Sequence, residues 1–309
     1  MSGSLLNLFN QYKSKSFIFV QPGGNWGDHL IYFGAEHLAG EVGLNFVSKT
    51  KAEFLNLGEI TDSVIYIHGG GAFNSWCSDS GFQLLAAALQ KKDNVVIYGP
   101  ASCGDNSDFL NEKLSECFST NNSAVCYMFA REQKTYKMFG AISIIKENTT
   151  LLQDVDTAFH LTKEAIIQRV GEERFDYDFY AFRDDNEACS LGHDFSFNEV
   201  VFDPAIWCTS FDHWLKVHLY AKKIITNRTH SSVIGSILEK PTYLFSGSYH
   251  KNRSIWLETL KNKNVEWLEP SEAIGMVQKS WLDKVLPIFI KNSWKIRKAF
   301  LSLQKVPQK

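Results

Sequence analysis

The chain of 309 residues lacks the marks of several protein classes. Its six cysteines include no C-x-x-C pair, so the sequence predicts neither a zinc site nor any obligatory metal. It contains no apolar run of about 18 residues, which a membrane-spanning helix needs, and no apolar secretory signal at its start. A formal net charge of −2 gives no overall attraction to nucleic acid. These absences favour a cytoplasmic globular protein with reduced cysteines and no nucleic-acid partner.

Short β-forming runs alternate with helix-like segments along most of the chain. Candidate strands of the first half are 16–21, 63–68, 94–99 and 124–130, and the run 142–148 completes the series. A second series begins near residue 177, where the runs KKIIT and PTYLF stand on either side of a candidate helix, 231–239. This alternation predicts an α/β fold, with parallel sheets wrapped by helices.

The length and the charge pattern predict how the chain is divided. A polar, highly charged stretch, 160–176, separates the two series of strands. We therefore expect two Rossmann-like lobes facing each other across a cleft, an N-terminal lobe over 1–165 and a C-terminal lobe over 166–275. A tail, 276–309, follows them.

The tail differs from the rest in charge. Residues 279–309 carry eight lysines and arginines against Asp283 alone, with Trp and Phe between them. Two interpretations stay open. A helix packed back on the protein with its lysines in water is the commoner outcome, and an interfacial helix on anionic lipid is the alternative.

Glycine-rich segments follow three of the candidate strands. They read QPGGNWGDHL, IYIHGGGAFNSW and IYGPASCG, and we expect three turns at the carboxyl edge of one sheet, where open α/β sheets bind ligands. Asp28 is expected to cap a helix that begins at His29. The segments contain neither G-x-G-x-x-G nor a P-loop, so neither nucleotide-binding fingerprint is present.

Three arginines stand immediately after apolar strands or close to their ends. They are Arg131, Arg183 and Arg228. A guanidinium fits carboxylate and phosphate groups, so the three predict a multiply charged anionic ligand. The alternative is a structural ion pair, with Glu132 or Asp184 as a partner. His230 adds a group that titrates near neutrality, two residues after Arg228.

In their order, these segments resemble the polysaccharide pyruvyl transferase family. The matching pieces are GGNWGDHLI, IHGGGAF, YGPAS, FAREQKTYKMFG, LLQDVDTAFHL, ITNRTHSSVIGSILEKPTYLF and SYHKNRSIW. They run from about residue 18 to about residue 260. The family's second-half block commonly reads Asp-Arg-Leu-His-Gly. Here it reads Asn227-Arg228-Thr229-His230-Ser231, so the arginine and the histidine are kept and three positions are changed.

The resemblance implies a GT-B-like fold and a transferase of cell-surface polysaccharide biosynthesis. The implied co-substrate is phosphoenolpyruvate, with no other cofactor, and the acceptor is a saccharide that receives a pyruvyl ketal. Arg228 and His230 match the family's functional Arg-x-His pair. From the chemistry of ketal formation we expect Arg228 to bind the donor and His230 to act as a general acid. Arg131 stands where a second donor-binding arginine is expected.

Further site residues are predicted around this chemistry. Asp28 or His68 is expected to orient or deprotonate the acceptor hydroxyl, and we count Asp28 with His230 as catalytic. The donor-binding set comprises Arg228, Arg131, Arg183, Lys251 and Arg253. The acceptor-binding set comprises Asn25, His68, Gly70, Gly71 and Trp76. Core packing, tight turns and a solvated loop are the structural alternatives for these two sets.

Two other functions stay open at this point. One is a GT-B-type glycosyltransferase that uses a nucleotide-sugar, and the other is a non-catalytic glycan-binding protein on the same fold. The changed positions Asn227 and Ser231 support the second. A basic tail on anionic lipid, over 279–309, would suit a lipid-linked acceptor at the inner face of the cell membrane.

Overall fold

The computed structural model describes residues 4–75, 80–119, 123–173, 175, 177–183, 199–247 and 250–269. Trp76 and the tail 276–309, of which predictions were made, lie outside the described residues. The chain forms two compact units. The first unit holds Met1–Thr162 together with Ser254–Leu260, and the second holds Lys163–Arg253 and continues from Lys261.

A parallel sheet forms the centre of the first unit. Its strands are β1 (Ser16–Gln21), β2 (Asn45–Thr50), β3 (Ser63–Ile67), β4 (Gly70–Phe73), β5 (Val95–Cys103), β6 (Val125–Ala130) and β7 (Thr150–Gln153). The spatial order is β2-β1-β3-β5-β6-β7, and β4 pairs with the end of β5. β5 is buried along its whole length, as expected of a central strand covered on both faces.

Helices cover both faces of this sheet. They are α1 (Ser4–Gln11), α2 (Trp26–Val42), α3 (Lys51–Leu55), α4 (Ser80–Leu89), α5 (Ser107–Phe118), α6 (Gln133–Ala141) and α7 (Ser143–Asn148), with a 3₁₀ turn at Thr157–His160. Alternate residues of a strand point to opposite faces. Phe17 and Phe19 therefore pack with α1 and α2, whereas Ile65 and Ile67 pack with α4, α5 and α6.

The second unit repeats this plan with a smaller sheet. Its strands are β8 (Asp178–Ala181), β9 (Glu199–Val201), β10 (Lys223–Thr226), β11 (Thr242–Leu244) and β12 (Val265–Trp267). All described pairs are parallel, in the order β12-β11-β10-β8-β9. The helices are α8 (Lys163–Val170), α9 (Pro204–Trp207), α10 (Phe211–Leu219), α11 (Thr229–Ile237) and α12 (Lys251–Ile255). Two parallel sheets flanked by helices confirm the α/β prediction and fit a GT-B-like chain.

Both sheets reverse their strand order at one point. In the first sheet the chain passes from β1 to β2 on one side and then to β3 on the other. In the second sheet β8 takes the corresponding place, between β9 and β10. Ligands of open α/β sheets bind outside the carboxyl ends of the strands at such a switch point. The ends of β1 and β3, and those of β8 and β10, are therefore the places to look for a site.

A short segment late in the chain belongs to the first unit. A π-helix, Trp256–Leu260, continues directly from α12. Its Glu258 accepts hydrogen bonds from the backbone N–H of Gln133, at 2.5 Å, and from the side chain of Gln153, at 3.0 Å. Glu258 thus caps α6, whose N-cap residue Glu132 makes no capping bond of its own.

Four local predictions were wrong. The run 142–148 is not a strand, because helix α7 covers Ser143–Asn148 and the next strand, β7, begins at Thr150. The segment IYGPASCG is not a turn, because β5 continues through it to Cys103. The Gly70–Phe73 part of the triple-glycine segment is a strand rather than a turn. Helix α2 begins at Trp26, not at His29, because Asn25 and Asp28 form a capping box one turn earlier than expected.

No helix of the described residues combines the length and the apolar composition needed to cross a membrane.

Candidate active site

Asn25 and Asp28 lie at the switch point of the first sheet, just after β1. Asn25 Oδ1 accepts a hydrogen bond from the Gly27 N–H at 2.8 Å, and Asp28 Oδ2 accepts one from the Asn25 N–H at 2.9 Å. This reciprocal pair satisfies two of the N–H groups that a helix start leaves unpaired. Both predicted site residues therefore have a structural function, and any role toward a ligand comes in addition to it.

Two glycines let backbone and carboxylate approach closely at this edge. A Cβ on Gly24, whose φ is +123°, would lie 2.3 Å from Asp28 Oδ2. A Cβ on Gly69 would lie 1.9 Å from the carbonyl oxygen of Pro100 in β5. Neither position can hold a side chain without movement of its neighbours. Gly70 follows with a φ of +139°, and a Cβ there would lie 3.4 Å from Asp28 Oδ1.

His68 is completely buried at the end of β3. Its ring lies 4.5 Å from the ring of Tyr32 and 5.5 Å from that of Phe19, between centroids. Within the described residues its two nitrogens have no hydrogen-bond partner. Burial, and secondarily His29, lowers the pKa of His68 to about 3. A neutral imidazole of so low a pKa is a poor base, so the environment favours orientation of a hydroxyl over its deprotonation.

Arg131 is held in a buried polar network at the end of β6. Its Nη1 donates to Asp156 Oδ2 at 2.7 Å, and its Nε donates to the Ser102 hydroxyl at 2.6 Å. Glu132 Oε2 lies 3.8 Å from Nε and accepts from the same hydroxyl at 2.6 Å. This geometry favours the structural ion pair that the sequence left open, with Asp156 as the principal partner. The donor-binding role of Arg131 stays a prediction.

Arg183 and Arg228 lie at the switch point of the second sheet. The Arg183 backbone N–H donates to Asn227 Oδ1 at 2.8 Å, which ties the end of β8 to the end of β10. Arg228 donates to Asp203 through Nε at 2.6 Å and through Nη2 at 2.5 Å. Arg228 is 7% exposed and Asp203 is 2% exposed, so this bidentate ion pair is buried. Asp203 thereby fixes the plane of the guanidinium.

His230 lies in the first turn of α11, for which Arg228 is the N-cap residue. It is 8% exposed, the largest fraction among the residues 227–231. Thr229 and Ser231, on either side of it, are buried and are hydrogen-bonded to Asn252 and His218. Helix N-termini favour anions, so the turn combines an anion-favouring backbone with a titratable ring.

The loop before α12 is joined to this turn by Asn252. Its Nδ2 donates to the carbonyl oxygens of Asn227 and Phe245, at 2.8 and 3.0 Å. Lys251 is half-buried beside it. Arg253 is exposed, and its guanidinium lies 4.7 Å from the ring centroid of Trp267. That cation–π contact gives Arg253 a structural partner in addition to its predicted donor-binding role.

The most important partners were missed from the sequence. They are Asp203, Asp156, Ser102, Asn252 and His218. Asp203 carried a local signal, since Asp-Pro at a helix start predicts an N-cap, and Asp203 does accept from the Ala205 N–H. Its pairing with Arg228 joins residues 25 positions apart and has no local signal.

Comparison with known proteins decides the family. The model of the polysaccharide pyruvyl transferase family matches residues 4–249, most of the chain. The chain belongs to this family. The prediction made from the ordered motifs is confirmed, and membership supports a pyruvyl transferase.

Other comparisons bear on the fold of this pyruvyl transferase family member. A crystal structure of an uncharacterised protein from Klebsiella pneumoniae matches with a TM-score of 0.64 and 17% sequence identity. The match covers 87% of this chain and 99% of that one. At this identity the likeness shows the fold alone. A search of curated proteins gave no match.

Proposed function

We propose that the protein transfers the pyruvyl group of phosphoenolpyruvate to a saccharide, as a cyclic ketal, during cell-surface polysaccharide synthesis. The observation that carries this proposal is the place of Arg228 and His230, at the switch point of the second sheet and in the first turn of α11. The family match supplies the reaction class. Phosphoenolpyruvate brings a carboxylate and a phosphate, which suit a cationic site at a helix N-terminus.

The reaction requires one proton at carbon and one for the leaving group. The first saccharide hydroxyl adds its oxygen to C2 of phosphoenolpyruvate and loses its proton to a base or to solvent, while the methylene carbon takes a proton and becomes a methyl group. The second hydroxyl then displaces phosphate at C2, which closes the ketal, and its proton leaves with phosphate or with solvent. We assign the carbon protonation to His230, because a positioned histidine contributes about 10²- to 10⁴-fold by proton transfer.

Arg228 is proposed to bind the donor with its guanidinium oriented by Asp203. Because Asp203 neutralises much of its charge, Arg228 brings geometry more than net charge to the donor. Arg183, Lys251 and Arg253 are the remaining donor-binding candidates of the second unit. Their exposure ranges from half-buried to exposed, so each is within reach of solvent.

The acceptor saccharide is proposed to bind at the switch point of the first sheet. Asn25, Asp28, His68 and the glycines Gly70 and Gly71 follow β1 and β3 there. His68 is 0% exposed and enclosed by aromatic rings, so a sugar hydroxyl reaches its neutral ring only if the side chains around it move; it stays a predicted acceptor contact. Trp76 stays a predicted acceptor contact outside the described residues.

An assay of phosphate release tests the reaction. The full chain is incubated with phosphoenolpyruvate and a panel of saccharides, and released phosphate and the ketal product are measured. The proposal expects phosphate and ketal in equal amounts with at least one saccharide. Ligand-induced stabilisation tests the donor independently: phosphoenolpyruvate should raise the melting temperature. Stabilisation by nucleotide-sugars alone would instead support a glycosyltransferase, and saccharide binding without phosphate release would support a glycan-binding protein.

The basic tail supports a second, separable proposal about the acceptor. Residues 279–309 carry eight basic side chains and one acidic side chain, which suits anionic lipid and hence a lipid-linked saccharide. Flotation of the full chain with anionic and with neutral liposomes tests this. The proposal expects binding to anionic liposomes only, lost on deletion of 279–309. An insoluble deletion variant would show that the tail is part of the packed protein.

A further inference from the structure

Residues 227, 229 and 231 alternate with Arg228 and His230, and their side chains hydrogen-bond this turn to neighbouring elements. Asn227 Oδ1 accepts from the Arg183 N–H at 2.8 Å, at the end of β8. The Thr229 hydroxyl donates to Asn252 Oδ1 at 2.5 Å, at the start of α12. The Ser231 hydroxyl lies 2.9 Å from Nε2 of His218, on α10. Three different elements therefore hold residues 227, 229 and 231.

The hydrogen-bond directions at His218 follow from its partners. Its Nδ1 lies 2.7 Å from the carbonyl oxygen of Trp214, which can only accept, so Nδ1 carries the proton. Nε2 is then the acceptor, and the Ser231 hydroxyl donates to it. The ring packs against Trp214, at 4.1 Å between centroids, and against Phe179, at 5.0 Å. Burial lowers the pKa of His218 to about 3, so it stays a neutral acceptor at neutral pH.

Neither residue of this pair can meet a substrate. His218 and Ser231 are both 0% exposed, which excludes a reacting serine at this place. Ser231 is, however, the residue next to His230 in the first turn of α11. Its hydrogen bond fixes how that turn is rotated against α10, and the rotation sets where the His230 ring lies.

We infer that His218, acting through the Ser231 hydroxyl, is a positioning residue that holds His230 in its reactive orientation. This inference rests on the proposed function, since His230 is the proposed acid. Small displacements of a reacting group are costly: about 1 Å can lower a rate about 100-fold. Loss of the bond should therefore lower kcat while donor binding changes little.

Ser231→Ala removes the bond, and Ser236→Ala is its matched control. Ser236 lies on the same helix, is 7% exposed, and its hydroxyl has no hydrogen-bond partner within the described residues. For Ser231→Ala we expect kcat for phosphate release to fall about 10- to 100-fold, with KM for phosphoenolpyruvate within about twofold. Ser236→Ala should leave both unchanged. An unaltered kcat in Ser231→Ala, or a loss that only follows the folded fraction, would overturn the inference.

Two replacements of His218 separate its two hydrogen bonds. The amide of His218→Asn reaches the Nδ1 position and keeps the bond to Trp214, whereas the amide of His218→Gln reaches the Nε2 position and keeps an acceptor for Ser231. Both remove the ring, so their packing losses are similar. We expect His218→Gln to retain at least about tenfold more kcat than His218→Asn. Equal kcat in the two variants would contradict a role through Ser231, even if Ser231→Ala does not fold.

A readout without turnover separates this inference from the proposed function. The ring Cε1–H resonance of His230 is followed by NMR in the same two variants. His218→Gln should leave it near its wild-type position, and His218→Asn should shift it. If the wild-type protein releases no phosphate but this difference is seen, the proposed reaction fails and the positioning stands. If phosphate is released and the two spectra agree, the positioning fails alone.

Discussion

At the scale of single residues, Arg228 and Asp203 form a buried ion pair in the second unit. Asp203→Asn keeps the shape and the helix cap but leaves Arg228 buried without its counter-charge. We expect the free energy of unfolding to fall by about 3–5 kcal/mol. Asp212→Asn is the control, because its pair with Arg169 is exposed, and its loss should be about 0.2–1 kcal/mol. Urea denaturation measures both, and equal losses would contradict a buried pair.

The replacement Arg228→Lys tests whether Arg228 binds the donor in addition to Asp203. An ammonium cannot make the two parallel bonds of a guanidinium, either to Asp203 or to a donor carboxylate. If Arg228 binds the donor, KM for phosphoenolpyruvate should rise about 10- to 100-fold, the value of a charged hydrogen bond. A variant with lower stability and an unchanged KM would show that Arg228 serves only its ion pair. Arg169→Lys controls for the general effect of the replacement.

The residue types of the site were readable from the sequence, but their partners were not. An arginine after an apolar strand must find an acceptor, and the sequence offered Glu132 and Asp184 because they are neighbours. The structure adds Asp156 to Glu132 beside Arg131 and pairs Arg228 with Asp203; Asp156 and Asp203 each lie 25 positions from their arginine. Asp184 lies outside the described residues. Such pairs depend on which strand ends meet at one edge of a sheet, and that is a property of the fold.

At the scale of elements, the start of α2 combines two roles. Its capping box stabilises the helix, and it places the candidate acceptor residues Asn25 and Asp28. Asn25→Ala removes the N-cap and should lower the free energy of unfolding by about 1 kcal/mol. Asn106→Ala is the matched control, since Asn106 caps α5 by the same kind of bond. If Asn25 also contacts the saccharide, only Asn25→Ala should raise KM for the acceptor. If KM for the acceptor is the same in both variants, Asn25 serves only as the N-cap of α2.

Strand prediction succeeded where an apolar run ends at a clear turn. The candidate 16–21 coincides with β1, and 63–68 and 124–130 differ from β3 and β6 by one residue. β2, an edge strand with four polar residues of six, and the short β7, β9 and β12 were not predicted, because none of them shows a clear apolar period. The predicted strand ended at residue 99, before Pro100, whereas β5 continues to Cys103. A proline is uncommon inside a central strand. Here the pairing shifts register between Tyr98 and Ala101, where a proline is tolerated.

At the scale of the whole molecule, each unit contains a completely buried histidine, His68 in the first and His218 in the second. Burial lowers the pKa of both His68 and His218 from 6.5 to about 3. Because the pKa of each histidine is lower in the folded state, the unfolded chain binds protons at a higher pH than the folded chain. The free energy of unfolding is therefore highest above pH 6.5 and decreases as the pH falls toward 3. At pH 5 each histidine should lower the free energy of unfolding by about 2 kcal/mol relative to neutral pH.

Urea denaturation between pH 7 and pH 4 tests this acid sensitivity. His68→Phe and His218→Gln should each flatten the decrease of stability with falling pH, although each lowers stability at pH 7. Asn106→Ala is the control, because it removes a helix cap and no titrating group, and it should leave the slope unchanged. Slopes that stay at the wild-type value in both buried-histidine variants would show that other groups control acid unfolding.

The proposed reaction depends on proton delivery by His230 to a donor bound in the second unit. The most direct test compares phosphoenolpyruvate binding and phosphate release in His230→Gln, with His213→Gln as a control from the same unit. In His230→Gln we predict donor affinity within about threefold of wild type and phosphate release reduced at least about 100-fold, with little change in the control. Phosphate release at the wild-type rate in His230→Gln would contradict it.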